Sequence, residues 1–154
     1  MKRIYIFTLL LAIAIIGASA QVTEFFDRYS DTEGVTSVYV SKTLLRMMPD
    51  VKTEGIEIKG LADKLDGIRI LTTEDKAMAE KLKNDATKNL RLKGYEELLR
   101  VNEGDEKTMI YMKADKRNIN EYLIINQEPD EFNAILITGS ISPSDIQGMI
   151  RQDR

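Results

Sequence analysis

Four apolar runs in the last third of the chain lie too close together to be joined by anything but turns. They cover 95–101, 108–113, 119–125 and 132–138. Between them stand Asn102-Glu103-Gly104-Asp105, Asp115-Lys116-Arg117-Asn118 and Gln127-Glu128-Pro129-Asp130. Two parallel strands need a crossover of roughly a dozen residues or more, which these connections cannot supply. The runs are therefore expected to be consecutive antiparallel strands, a four-stranded meander.

Upstream the pattern is mixed. Val22, Phe25, Phe26 and Tyr29 follow i, i+3, i+4, i+7 spacing, which predicts a short helix with one aromatic stripe, ended by residues 30–34. Residues 35–40 are β-rich, with Thr36, Val38 and Val40 on one face and Val35, Ser37 and Tyr39 on the other. Ser41 is placed to cap a helix through Leu44, Leu45, Met47 and Met48, which Pro49 stops. Residues 50–66 are less regular, extended at 56–58 and helical around 61–65, and a strand is expected at 68–71. A long helix is predicted from about Glu74 to Leu92, with Met78, Leu82 and Ala86 on its buried side and Gly94 at its left-handed C-terminal cap. Ser142-Pro143-Ser144-Asp145 opens a last helix with a cap, a proline in the first turn and an acid at the third position. The fold class expected is α+β, a mostly antiparallel sheet with helices packed on it.

The first twenty residues stand apart. Lys2 and Arg3 precede an apolar run from Ile4 to Ile16, followed by Gly17 and Ala18-Ser19-Ala20. A basic start, an apolar centre and small residues before a cut are the layout of an export signal, with Gln21 as the new N-terminus. The apolar run is shorter than the roughly 20 residues a membrane span needs. The expectation is a signal peptide over 1–20 and a single α+β domain over 21–154, in the periplasm or secreted beyond it. Loss of Lys2 and Arg3 takes the formal charge from -3 to -5, so nucleic acid is not an expected partner.

The chain has no cysteine and no histidine. Without cysteine there is neither a disulfide nor the lipid-modified cysteine of an anchored lipoprotein; Gln21 stands where that residue would be. Without histidine there is no serine triad of the usual type and no histidine-ligated zinc. No Ser-x-x-Lys pair occurs after residue 20. No cofactor, metal site or catalytic residue is expected.

Weaker motifs read as structure. The glycines of 55–60 have phosphate-loop spacing, but Leu61 and Ala62 follow in place of Lys and Ser or Thr. Glu128, Asp130 and Glu131 cluster in a loop that lacks the spacing of a calcium site. Lys81, Lys88 and Arg91 form a basic stripe of the kind a solvated helix face carries. Leu44, Leu45, Met47 and Met48 are expected mainly in the core. For Phe25, Phe26 and Tyr29 a core and a partner surface are equally supported, because a short helix at a chain end is easily displaced.

The segments Phe25-Phe26-Asp27-Arg28-Tyr29 and Glu33-Gly34-Val35-Thr36-Ser37-Val38-Tyr39-Val40-Ser41-Lys42, continuing to Leu44-Leu45-Arg46-Met47-Met48-Pro49, resemble the bacterial family called domain of unknown function 4252. Asn120-Glu121-Tyr122-Leu123-Ile124 and Leu136-Ile137-Thr138-Gly139-Ser140-Ile141-Ser142 look like that family's terminal strands and final helix. Many members look like lipoproteins, from which this chain departs by lacking the anchoring cysteine. The resemblance implies a fold and supplies no functional residues.

The function expected is that of a non-enzymatic exported module that binds a protein or envelope component, with no membrane span and no lipid anchor. A regulatory partner of a membrane signalling protein is the alternative. A carboxylate-based envelope hydrolase is a third reading, and it requires two acids facing across a cleft. Glu54 with Glu57 and Glu96 with Glu97 are pairs only in sequence, and at most one of Glu96 and Glu97 can face a shared cleft.

Overall fold

The four runs of the last third fold as their spacing predicts, into β5 (Glu96–Glu103), β6 (Glu106–Ala114), β7 (Asn120–Gln127) and β8 (Phe132–Gly139). The structure, a computed structural model, describes residues 18–47, 52–53, 56–57, 60–90, 92–115 and 119–150. Before the meander come α1 (Ala18–Tyr29), β1 (Thr36–Ser41), α2 (Lys42–Met47), β2 (Lys52–Thr53), β3 (Ile56–Glu57), β4 (Leu65–Thr73) and α3 (Lys76–Lys88); after it comes α4 (Pro143–Ile150). The expected signal segment lies outside the described residues, apart from 18–20 in the first turn of α1.

Six strands form one sheet in the order β1-β4-β8-β7-β6-β5, and every neighbouring pair is antiparallel. After β4 the chain passes through α3 to the far edge, and the meander then returns strand by strand until β8 lies against β4. The fold is α+β with a mostly antiparallel sheet and a C-terminal meander, as expected. β2 and β3 form a separate two-stranded sheet.

Alternation along each strand sends apolar side chains to both faces. On one face Val22, Phe25, Phe26 and Tyr29 of α1 and Ala79 and Leu82 of α3 pack on Leu71, Leu123, Phe132, Ala134 and Leu136. On the other, Leu45 of α2 and Ile146 of α4 join Val40, Ile68, Ile70, Tyr122, Ile135 and Ile137. Burial on both faces explains why β8 is almost continuously apolar.

The caps account for the helix ends. Asp75 accepts the Met78 N–H at 2.8 Å and starts α3. Ser142 and Asp145 form a reciprocal box: the Ser142 N–H donates to Asp145 Oδ2 at 2.9 Å and the Asp145 N–H to Ser142 Oγ at 3.2 Å.

Three local expectations are corrected. The long helix stops at Lys88 rather than Leu92, because Asn89 takes the C-terminal cap and donates its N–H to Asp85 O; Leu90 and Leu92 then pack on the core from irregular chain. Gly94 does have φ of +86°, but in the turn before β5. Residues 61–64 form a turn, not a helix, and the strand expected at 68–71 runs from Leu65 to Thr73. In α2 only Leu45 is buried; Leu44 is 41% and Met47 74% exposed, and Met48 lies outside the described residues.

Candidate functional site

α1 and α3 cover the centre of their sheet face and end short of β5. Every residue of β5 is exposed, as an outermost strand without a covering layer must be. Between the C-terminal end of α3 and strands β5–β7 lies a cleft of about 240 Å³, with Ala86, Leu90, Leu92, Met109, Tyr111 and Ile125 in its apolar walls and Arg100, Lys107, Thr87 and Gln127 also lining it.

A bulge places the charge there. The pairing of β5 with β6 shifts between Glu97 and Leu99, so Glu97 lies opposite Tyr111 and Arg100 opposite Met109. Those partners are two residues apart on β6, hence on one face. The extra residue Leu98 thus brings Glu97 and Arg100 to the same side, where the guanidinium donates from Nε to Oε1 at 3.0 Å and from Nη2 to Oε2 at 2.5 Å. The Tyr111 hydroxyl donates to Met109 Sδ at 3.4 Å. Burial, and then the neighbouring Glu97 charge, push the Tyr111 hydroxyl above its ordinary pKa, so it stays a neutral donor. On the other face of the same strand, Leu99 pairs with Ile110 and Val101 with Thr108. Leu98, Leu99 and Val101 are 41%, 45% and 44% exposed.

A second cleft, about 130 Å³, lies between α1 and α3 and is lined by two acids, Glu24 and Asp85. One guanidinium bridges them: Arg28 reaches Asp85 at 3.0 Å and Glu24 at 3.3 Å. Burial raises the Asp85 carboxyl, but hydrogen bonds from Asn89 and Tyr29 and the Arg28 charge outweigh it and hold the group below its ordinary pKa. A general acid at neutral pH needs the opposite shift. The geometry ties two helices together.

The sequence candidates fall in different places. Phe25, Phe26 and Tyr29 are 3%, 2% and 4% exposed and form an aromatic cluster with Phe132. In the folded chain this stripe is core, and it offers no outward surface. Glu96 and Glu97 point to opposite faces, as strand alternation requires. Glu54 lies outside the described residues, as does Arg91 of the basic stripe; Lys81 sits over the Tyr29 ring at 5.8 Å. The carboxylates of the last loop diverge. Asp130 pairs with Lys76 at 3.1 Å, Glu128 accepts from Asn126 at 3.1 Å, and Lys83 donates to the Glu128 and Pro129 carbonyls, which binds the loop to α3.

No local pattern reveals the β5–β7 cleft, because its walls come from four consecutive elements that meet only once α3 is packed on the sheet. The only local sign was Arg100 inside an apolar strand. Among the described residues no helix is long and apolar enough to cross a membrane. A family model described as Domain of unknown function (DUF4252) matches residues 29–149, which leaves most of α1 before the matched span. No curated protein and no solved structure matches the chain.

Proposed function

Since the chain belongs to the family Domain of unknown function (DUF4252), a membership that carries a fold and no chemistry, we propose that it is an exported, non-enzymatic module that binds a protein or envelope component along β5. The observation that carries this reading is the exposure of Leu98, Leu99 and Val101 on an edge strand that is paired on one side only and whose opposite face borders an apolar cleft. An edge strand presents unpaired N–H and C=O groups, and an extended segment that adds to it gains main-chain hydrogen bonds while its side chains find pockets. The cleft takes aliphatic groups, and Lys107 beside the Glu97–Arg100 pair favours a segment that also carries a carboxylate. Export rests on the layout of residues 1–20, and the binding role on the residue types left in a chain without histidine or cysteine.

Photocrosslinking from position 99 in intact cells tests it. A discrete adduct that disappears when Val101→Asp is added, while a crosslinker at exposed Glu80 of α3 gives none, is the expected result. Equal labelling from positions 99 and 80 would refute the reading.

A further inference from the structure

The two edges of the sheet are built differently. β5 carries Glu96, Glu97, Arg100 and Glu103 and a bulge, which oppose pairing with an identical or uncharged strand and restrict that edge to a partner of complementary charge. β1 has none of them. Its sequence, Thr-Ser-Val-Tyr-Val-Ser, contains no charge, no proline and no glycine, and it pairs with β4 in unbroken register from Thr36 opposite Thr72 to Ser41 opposite Gly67. Val38 and Tyr39 are 39% and 63% exposed, and α2, which follows at once, exposes Leu44 and Met47. Four of the large exposed apolar side chains thus fall within ten residues of chain at this edge.

The edge is also self-complementary. Ser37-Val38-Tyr39-Val40-Ser41 reads the same in both directions about Tyr39. Two copies laid antiparallel with Tyr39 opposite Tyr39 place Val38 against Val40 and Ser37 against Ser41, twice over. A two-fold axis perpendicular to a sheet can only relate residues whose numbers sum to an even value, since facing residues must point to the same side; this register satisfies that condition. Each facing pair is of a favourable kind: aromatic with aromatic, β-branched with β-branched, hydroxyl with hydroxyl. On the α2 face, Val38 lies in an aliphatic row that crosses the whole sheet through Ile70, Ile135, Ile124, Ile110 and Leu99. Pairing would join the apolar surfaces of two sheets.

The Tyr39 ring does not stand in the way. It folds back over β4, with the Arg69 guanidinium 5.2 Å from its centroid and its Cε2 3.5 Å from where a Cβ on Gly67 would lie. Arg69 is fixed in turn by Asp27 of α1 at 2.5 Å.

We infer that β1 is a homodimerisation strand: a second copy of this chain pairs with it antiparallel about Tyr39, giving one continuous twelve-stranded sheet. The surface is on the opposite edge from the strand proposed for partner binding, so the two ideas stand or fall separately.

The absence of cysteine from the sequence makes the register directly testable. In the purified protein, Tyr39→Cys should give a disulfide-linked dimer on mild oxidation, because directly facing Cα atoms lie about 4.5 to 5.5 Å apart, within disulfide range. Ser37→Cys or Ser41→Cys alone should crosslink poorly, and their equimolar mixture well. Sedimentation should show a dimer that Tyr39→Lys or Tyr39→Glu each weakens by about tenfold or more, through like charges placed face to face, and that mixing the two variants restores. Circular dichroism of each variant confirms folding. A wild-type protein that is monomeric at about 100 μM, or a dimer indifferent to both charge variants, would overturn the proposal, as would equal crosslinking from positions 37, 39 and 41.

Discussion

The Tyr29 hydroxyl donates to Asp85 Oδ2 at 2.9 Å, and the Arg28 guanidinium reaches the same oxygen at 3.0 Å. Two consecutive residues at the end of α1 thus hold one carboxylate of α3, and that contact closes one helical layer of the fold. Because the folded Asp85 carboxyl lies below its ordinary value, its contribution to stability is present above the unfolded carboxylate pKa of about 4 and is lost as pH falls through the folded one. Tyr29 acts in the opposite direction. Burial, with the Asp85 hydrogen bond and charge, pushes its hydroxyl up to about 12, so its contribution is full below about pH 10 and is lost as pH rises toward 12. Asp85→Asn should cost about 1 to 2 kcal/mol at pH 7, discounted for the half-exposed Arg28. The difference from wild type should shrink below pH 4. Urea unfolding midpoints from pH 3 to 8 check this, and a difference independent of pH across that range would contradict it.

Phe26 decides between the two readings of the aromatic stripe. It is 2% exposed in the α1–α3 core, so truncation leaves a cavity under α1. Phe26→Ala is expected to cost about 3 to 5 kcal/mol. A partner surface would behave otherwise: the variant would unfold at the wild-type denaturant concentration and lose only binding. Denaturant titration of the isolated protein separates the two.

What was legible in the sequence was what local chemistry determines. The connections of the meander left one topology, the Ser142–Asp145 box began α4 where it was expected, and the alternation of 36–40 assigned both faces of β1. The misses have long-range causes. Asp66, Gly67 and Arg69 make β4 look too polar to be a nine-residue strand, yet it is held on both sides, by β1 and β8. The pairing of β4 with β8 joins segments about sixty residues apart, and no local signal encodes it. Leu90 and Leu92 continue a helical apolar pattern because they are needed in the core, but the cap at Asn89 has already ended the helix. The β5–β7 cleft appears only after β5 has been carried to the edge farthest from β1.

Gly139 marks the tightest point of this assembly. It ends β8, faces Leu65 across a register shift in β4 and Asn120 on β7, and a Cβ built on it would lie 2.2 Å from the Lys64 carbonyl oxygen and 2.9 Å from Leu65 Cα. Both atoms are backbone, so no side-chain rotation can relieve the overlap. The Lys64 carbonyl is itself engaged, accepting the Ser140 N–H at 2.8 Å, and any movement away from a new methyl group would break that bond. The damage would spread, because the next residues lead to the Ile141 carbonyl, which accepts from Asn120 Nδ2 at 2.7 Å and from the Tyr122 hydroxyl at 3.0 Å. Gly139→Ala is therefore expected to destabilise by about 3 kcal/mol or more, at the upper end of overpacking costs. Gly104→Ala is the comparison, since nothing lies within 4 Å of its Cβ position and its φ of +61° leaves only the cost of a left-handed residue, about 1 to 2 kcal/mol. Thermal melts of the two variants should rank Gly139→Ala well below Gly104→Ala. Equal melting temperatures would contradict this close approach of the end of β8 to the Lys64 and Leu65 backbone.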